Sequence, residues 1–317
     1  MLVIFQNAII YNPFLPPNAR SLRIAEFASQ CAGIQWREER IKSLDGTEIA
    51  LCVADMQQGP VVAGQKQVYI LYFQGNASSL PPRLPDISQI LRRVKNADET
   101  QSIYYTVACV SYRGFWTSHD RPSERGINMD TSAAMQWVTR LHEQRRNESG
   151  ATSQHEPVVI LWGQSIGCGF ATNLAAANAS TTSALPIGAM VLETPFTNTR
   201  AMLTALYPQK WLPYQYLWPF LRSHLDTWSN LKTISQQRVH GPVPAVYIVE
   251  AAKDELVPLD HGEMLEKRCQ EVGLPVRRHK IRAALHNDVS VRQEGKQRIA
   301  ESIRSAVASA SAPKGGP

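Results

Sequence analysis

The sequence lacks the features by which several classes of protein are identified. It has only five cysteines, an odd number, and none of them belongs to a C-x-x-C pair. This pattern disfavours a disulfide framework or a zinc site and favours reduced, buried thiols. No apolar run approaches the roughly twenty residues that a membrane-spanning helix needs. The sequence therefore predicts no zinc site and no transmembrane segment in this chain.

The N-terminus has no features of a secretory signal, and the charges do not form a nucleic-acid-binding pattern. The first stretch is apolar for only about ten residues, and it has neither a basic n-region nor a small-residue cleavage site. We therefore expect a cytoplasmic protein, with peripheral membrane contact left open. The net charge of +6 is spread over 317 residues without a basic stripe interleaved with aromatics. Nucleic acid is thus not an expected partner.

Strand-like and helix-like segments alternate along the chain. Short runs of apolar, β-branched or aromatic residues predict strands at 49–53, 67–73, 103–112, 158–162, 189–192, 245–250 and 276–281. Helical patterns fall at 87–94, 124–144, 167–177, 262–272 and 294–308. This alternation predicts a mostly parallel sheet with helices on both faces. We expect a single domain over 1–308 and a disordered tail at 309–317, which is small and polar.

A G-x-S-x-G pentapeptide at 163–167 is the most informative motif. A predicted strand precedes it and an alanine-rich helix follows, which is the setting of a nucleophile elbow. The sharp turn would lift the Ser165 hydroxyl out of the sheet, at the N-terminus of a helix that stabilises negative charge. The flanking glycines permit a tight turn with close backbones. The alternative is that Ser165 only caps the helix.

A serine hydroxyl is a poor nucleophile near neutral pH, so it needs a base that is oriented by an acid. In this arrangement the chain order is serine, acid, histidine. His286 lies just past the last predicted strand, where a base on a loop belongs, whereas His279 lies within a strand and His261 opens a helix. We predict His286 as the base; the alternative is a surface loop histidine.

The acid should follow the next-to-last strand. Asp254 stands there and is the predicted partner of the base. Glu255 is the neighbouring alternative, and Glu193, at the end of the preceding strand, is a more distant one. Asp254 would otherwise be a turn residue whose side chain bonds the local backbone.

Acyl transfer also requires donors for an oxyanion. The main-chain N–H of Ile166, directly after the nucleophile, is the first predicted donor. The second should come from the loop after strand 67–73, where the main-chain N–H of Asn76 is the best candidate. The alternative is a turn that uses Gly75 and Asn76 for their permissive dihedral angles.

Six blocks follow one another along the chain: Y-F-Q-G-N-A at 72–77, S-Y-R-G-F at 111–115, G-Q-S-I-G at 163–167, L-E-T-P-F at 192–196, K-D-E-L-V-P at 253–258 and H-N-D at 286–288. Together they resemble the bud-emergence-type alpha/beta-hydrolase-domain proteins, over roughly residues 7–308. The resemblance implies an alpha/beta-hydrolase fold with Ser165, Asp254 and His286 as a catalytic triad. It also implies hydrolysis of esters or thioesters, in some members on lipids or lipidated proteins, without a metal or organic cofactor.

The chain departs from this family at two positions. Gln74 stands where the family usually has a histidine, which bears on the support of the oxyanion loop. Trp116 stands where a small residue is usual, and it is expected to narrow or reshape the entrance. Two hypotheses follow: a cofactor-independent serine hydrolase, or a catalytically silent relative that acts as a binding or scaffolding protein. The intact triad favours the enzyme.

The connection at 195–244 is where this fold commonly inserts a lid, and we predict one there. It holds a large share of the aromatic residues of the chain: Tyr207, Trp211, Tyr214, Tyr216, Trp218, Phe220 and Trp228. As a group they are expected to shape an apolar pocket for a small-molecule or lipid ester. Trp116, Trp211 and Trp218 are the predicted substrate-binding residues. The alternative is that the aromatics pack the segment onto the sheet.

Overall fold

The computed structural model describes residues 6–57, 59–62, 64–96, 103–149, 156–181, 185–209, 218–238 and 243–310. Within these residues one sheet of eight strands runs in the order β1-β2-β4-β3-β5-β6-β7-β8. The strands are β1 (Arg37–Lys42), β2 (Glu48–Asp55), β3 (Lys66–Phe73), β4 (Ile103–Val110), β5 (Val158–Gln164), β6 (Ile187–Glu193), β7 (Ala245–Ala251) and β8 (Val276–Ile281). The α-helices are α1 (Gln6–Ile10), α2 (Leu84–Asn96), α3 (Glu124–Ser149), α4 (Ile166–Ala179), α5 (Thr199–Leu206), α6 (Thr227–Gln236), α7 (His261–Glu271) and α8 (Gln293–Ser309).

The sheet is parallel from β4 through β8 in its spatial order, and β1 and β2 are antiparallel to their neighbours. Consecutive strand residues point to opposite faces. Phe73 and Leu161 belong to a core cluster with residues of α3, α4, α6 and α7, while Tyr72 and Trp162 belong to a cluster with residues of α2 and α8. The predicted mostly parallel sheet with helices on both faces is confirmed.

The first strand was not predicted, because its sequence R-E-E-R-I-K is almost wholly charged. Of its six residues only Ile41 is buried. The charged side chains form ion pairs across the edge of the sheet, from Arg37 to Asp55 at 3.0 Å and from Arg40 to Glu48 at 3.3 Å. Such charges are typical of an edge strand, where they oppose pairing with another chain.

The carboxyl ends of the parallel strands meet at one edge of the sheet, where ligands bind in open α/β sheets. The loops after β3, β5, β7 and β8 carry Asn76, Ser165, Asp254 and His286 to this edge. The connection after β6 holds α5, α6 and a short 3-10 helix at Trp218–Phe220. That this connection acts as a lid stays a prediction.

Some of the predictions fall on positions that the structure does not describe. Three predicted lid aromatics lie there, as does most of the tail, 311–317: the aromatics are Trp211, Tyr214 and Tyr216. The last helix runs one residue past its predicted end, to Ser309. Among the described helices, none combines the length and apolar character needed to cross a membrane.

Candidate active site

Ser165 occupies a strained turn between β5 and α4, with φ 52° and ψ −117°. A positive φ is uncommon for a residue other than glycine, and the surrounding structure must hold it in place. The N–H of Ser165 donates to the carbonyl of Glu193 at 2.8 Å, and the N–H of Cys168 donates to the carbonyl of Ser165 at 2.9 Å. The turn is thus fixed between β6 and α4, and it places the hydroxyl at the N-terminus of a helix.

The glycines that flank Ser165 are required by packing. A Cβ atom on Gly163 would lie 2.5 Å from the carbonyl oxygen of Gly167. A Cβ atom on Gly167 would lie 2.1 Å from the carbonyl oxygen of Phe73, at the end of β3. These approaches are too close for any side chain, so the local sequence is dictated by how tightly the turn packs on the neighbouring strand.

Three loops bring the predicted triad residues together. His286 Nε2 lies 2.9 Å from Ser165 Oγ, and His286 Nδ1 lies 2.8 Å from Asp254 Oδ2. The side chains of His286 and Asp254 are only 4% and 5% exposed. An ionised carboxylate can only accept hydrogen bonds, so Nδ1 carries the proton and the Nε2 lone pair faces the hydroxyl.

Asp254 is also a turn residue, and its carboxylate bonds the local main chain as well as His286. Its Oδ1 accepts the N–H groups of Leu256 at 2.9 Å and Val257 at 2.8 Å. Burial alone would raise the pKa of Asp254, but the hydrogen bond and charge of His286, together with these two N–H groups, lower it below its usual value. The carboxylate therefore stays ionised and keeps the imidazole oriented.

The two glutamates considered as alternatives to Asp254 contact the main chain of the same loop. Glu255 Oε2 accepts the N–H of His286 at 2.9 Å. Glu193 Oε1 accepts the N–H of Ser290 at 3.1 Å. The imidazole itself is bonded by Asp254, so the geometry favours Asp254 as the acid.

The loop after β3 packs directly against the Ser165 turn. A Cβ atom on Gly75 would lie 3.2 Å from Oε1 of Gln164. The Asn76 side chain is fully engaged: its Nδ2 donates to the carbonyl of Ile10 at 2.7 Å, and its Oδ1 accepts the N–H of Asn12 at 3.1 Å. In the described part of the chain, the main-chain N–H groups of Asn76 and Ile166 donate to no protein acceptor.

Gln74 holds this loop through its main chain only. Its carbonyl accepts the Tyr112 hydroxyl at 2.8 Å. Its side chain is fully buried, and neither amide atom finds a hydrogen-bond partner among the described residues.

Of the predicted substrate-binding tryptophans, the structure describes Trp116 and Trp218, and their surroundings differ. Trp116 is 2% exposed, donates from Nε1 to the carbonyl of Leu22 at 2.7 Å, and packs in the core cluster of Tyr72 and Trp162. This is the placement of a packing residue. Trp218 is 43% exposed and lies beneath the guanidinium of Arg200, which is 3.9 Å from the ring centroid. Contact of either ring with a substrate stays a prediction.

No protein-family model matches the chain. Among curated proteins, lysophosphatidylserine lipase ABHD12 of Danio rerio is 30% identical over 257 residues, which cover 80% of this chain and 57% of that protein. Human protein ABHD12B is 32% identical over 163 residues, covering 51% of this chain and 41% of that protein. The chain thus spans about half the length of the curated relatives that it matches.

Solved structures of esterases have the same architecture. Esterase LipW of Mycobacterium marinum superposes with a TM-score of 0.60 at 16% identity, covering 93% of this chain and 89% of that one. The esterase of Pyrobaculum calidifontis gives a TM-score of 0.58 at 16% identity, covering 94% and 99%. The chain therefore has the alpha/beta-hydrolase fold. The comparisons support the alpha/beta-hydrolase superfamily and do not single out the bud-emergence type.

Proposed function

We propose that this protein is a serine hydrolase that cleaves carboxylic ester or thioester bonds through an acyl-enzyme on Ser165. The observation that carries the proposal is the continuous hydrogen-bonded chain from Ser165 Oγ through His286 to Asp254, with distances of 2.9 and 2.8 Å. We also infer that the protein is related to the bud-emergence-type alpha/beta-hydrolase-domain proteins, which the six sequence blocks support.

The proposed reaction follows from the direction of these hydrogen bonds. The Nε2 lone pair of His286 accepts the Ser165 proton as Oγ attacks the carbonyl carbon of the substrate. The tetrahedral intermediate collapses when its bond to the leaving oxygen or sulfur breaks, and His286 returns the proton to that atom. The acyl group stays on Ser165 until a water molecule, activated by His286, releases the carboxylic acid. Asp254 stabilises the imidazolium formed in each step.

The developing oxyanion requires two donors, and we assign these to the main-chain N–H groups of Ile166 and Asn76. Ile166 is the first residue of α4, so its N–H also benefits from the helix dipole. The Asn76 loop packs against the Ser165 turn, and its side-chain bonds leave the main-chain N–H unoccupied. Donors that are fixed before the reaction need no reorganisation as the charge develops.

The proposed substrates are esters or thioesters of apolar acyl chains, lipid esters among them. Exposed leucines on the two loops that carry Asp254 and His286 support this: Leu256, Leu259 and Leu285 are 43%, 50% and 44% exposed. Apolar side chains beside a site favour contact with an apolar ligand or a membrane surface. Peripheral membrane contact is part of the proposal, and the ABHD12 relatives are lipases by name.

Labelling with a broad fluorophosphonate probe tests the proposal. The protein should be labelled, and Ser165→Ala should abolish labelling. Ser180→Ala, at the other end of α4, is the matched control and should label normally. If the folded protein is not labelled and hydrolyses none of the p-nitrophenyl esters from acetyl to palmitoyl, the catalytically silent alternative replaces the enzyme.

A further inference from the structure

Glu193 is a buried carboxylate whose position is not explained by the triad. It is the last residue of β6 and has no exposed surface. Its Oε1 accepts the N–H of Ser290 at 3.1 Å and lies 3.4 Å from Nε2 of Gln164, and its Oε2 lies 3.4 Å from Nε1 of Trp162. Both carboxylate oxygens therefore face donors, and one of those donors belongs to the loop that carries His286.

Gln164 extends this cluster to the other parts of the site. It immediately precedes Ser165, and its Oε1 accepts the Tyr72 hydroxyl at 3.2 Å and the guanidinium of Arg83. The same amide is the surface on which Gly75 of the oxyanion loop packs. One set of buried polar contacts thus touches the nucleophile turn, the oxyanion loop and the histidine loop.

A carboxylate is costly at this position. Burial raises the pKa of Glu193, and the hydrogen bonds from Ser290 and Trp162 and the charge of Arg83 offset part of that rise. An apolar side chain would pack at the end of β6 without this cost. What it would not supply is an acceptor for the Ser290 N–H, four residues beyond the catalytic histidine.

We propose that Glu193 is a positioning residue, whose carboxylate holds the His286 loop at Ser290 against the turn that carries Ser165. Its main-chain carbonyl already holds the Ser165 N–H at 2.8 Å, so the same residue fixes both reacting partners relative to each other. The consequence for catalysis rests on the proposed function, whereas the consequence for the loop does not. A misplacement of about 1 Å at a reacting pair can cost on the order of a hundredfold in rate.

Two substitutions at Glu193 separate positioning from packing. Glu193→Gln keeps an acceptor oxygen for the Ser290 N–H, whereas Glu193→Met has similar volume and only a weakly accepting sulfur. Glu250→Met is the matched control: Glu250 is a buried glutamate near the end of β7, and its carboxylate contacts Arg278 of β8.

Hydrogen exchange of the 285–292 segment is the readout that does not depend on activity. We expect exchange at least about tenfold faster in Glu193→Met and nearly unchanged in Glu193→Gln and Glu250→Met. With a p-nitrophenyl ester, kcat should fall roughly thirtyfold to a hundredfold in Glu193→Met, with KM within about twofold. Glu193→Gln should stay within about fivefold of the unaltered protein, because it keeps the bond to the loop.

If Glu193→Met does not fold, Ser290→Pro removes the same hydrogen bond from the donor side, and it should loosen the segment equally. Unchanged hydrogen exchange of the 285–292 segment in both Glu193→Met and Ser290→Pro would overturn the proposal. So would an equal loss of kcat in Glu193→Gln and Glu193→Met, or exchange of that segment in Glu250→Met as fast as in Glu193→Met. A protein that fails to label at Ser165 while its loop responds as expected would refute the hydrolase and leave the positioning role standing.

Discussion

Glu255 and Asp254 hold the same histidine at two different places. The Asp254 carboxylate contacts the imidazole Nδ1 of His286, and the Glu255 carboxylate accepts the main-chain N–H of His286 at 2.9 Å. Asp254 thus orients the imidazole ring, and Glu255 anchors the main chain of the loop that carries it. Both side chains are carboxylates that leave the same turn, but they reach different atoms of His286.

This division predicts unequal effects of substitution in the triad. Ser165→Ala and His286→Ala should each lower kcat for a p-nitrophenyl ester by about four to six orders of magnitude, because the members act as a unit and their losses do not add. Asp254→Asn should cost as much or less. Glu255→Ala should stay within about tenfold, because Glu255 is exposed and its bond to the His286 N–H competes with water, unlike the buried bond of Glu193. Full activity in Ser165→Ala would contradict the mechanism, and loss in Glu255→Ala with an active Asp254→Asn would move the acid.

Gln74 stands where the bud-emergence-type proteins, which the chain resembles, usually have a histidine. The loop is held by the Gln74 carbonyl and the Asn76 side chain, and both contacts survive Gln74→His. We therefore expect kcat/KM of that variant within about tenfold of the unaltered protein, or roughly 1.4 kcal/mol of barrier. A rise of several orders of magnitude would instead indicate that the natural protein is a degraded enzyme.

Substrate choice can be measured with p-nitrophenyl esters from acetyl to palmitoyl. If the aromatics of 195–244 and the exposed leucines form an apolar binding surface, kcat/KM should be higher for medium or long chains than for acetyl. Trp211→Ala and Trp218→Ala should each reduce that preference several-fold, on the order of 1 kcal/mol. Trp137→Phe, in α3 and packed against the core, serves as the comparison. A profile that peaks at acetyl and ignores both alanine variants would make the segment purely structural.

Asp55 links stability to pH. Burial acts to raise the pKa of Asp55, but its bonds to Thr106, Arg145 and Arg37 lower it overall. The stabilisation is therefore fully present above the unfolded pKa of about 3.9 and is lost as pH falls through the lower, folded value. Asp55→Asn should destabilise the protein by about 1 kcal/mol near neutral pH, and the difference should shrink on acidification. Urea unfolding at neutral and acidic pH measures it. A difference that is constant with pH would contradict the assignment.

The sequence was sufficient to predict the strands whose residues are buried on both faces of the sheet. β3 and β5 are wholly buried, so their apolar runs were unambiguous, and the loops that follow them could be placed at one edge of the sheet. The charged β1 could not be predicted, since its strand pattern is set by pairing with β2 and not by burial.

The contacts of Glu193 and Glu255 could not be predicted from the sequence, for a related reason. Glu193 meets Gln164 because the register of β5 on β6 places these residues side by side, and register depends on tertiary packing. Glu255 reaches His286 only once β7 and β8 are aligned. In each case the residue type was visible, but the direction of its side chain was not.

The bonds from Asn76 to Ile10 and Asn12 have a practical consequence for work with this protein. The Asn76 loop, which is proposed to donate to the oxyanion, is braced by a stretch of chain some sixty residues earlier in the sequence. Proteolysis or substitution that disturbs residues 10–12 is therefore expected to disturb the proposed active site, although those residues lie far from Ser165 in the sequence.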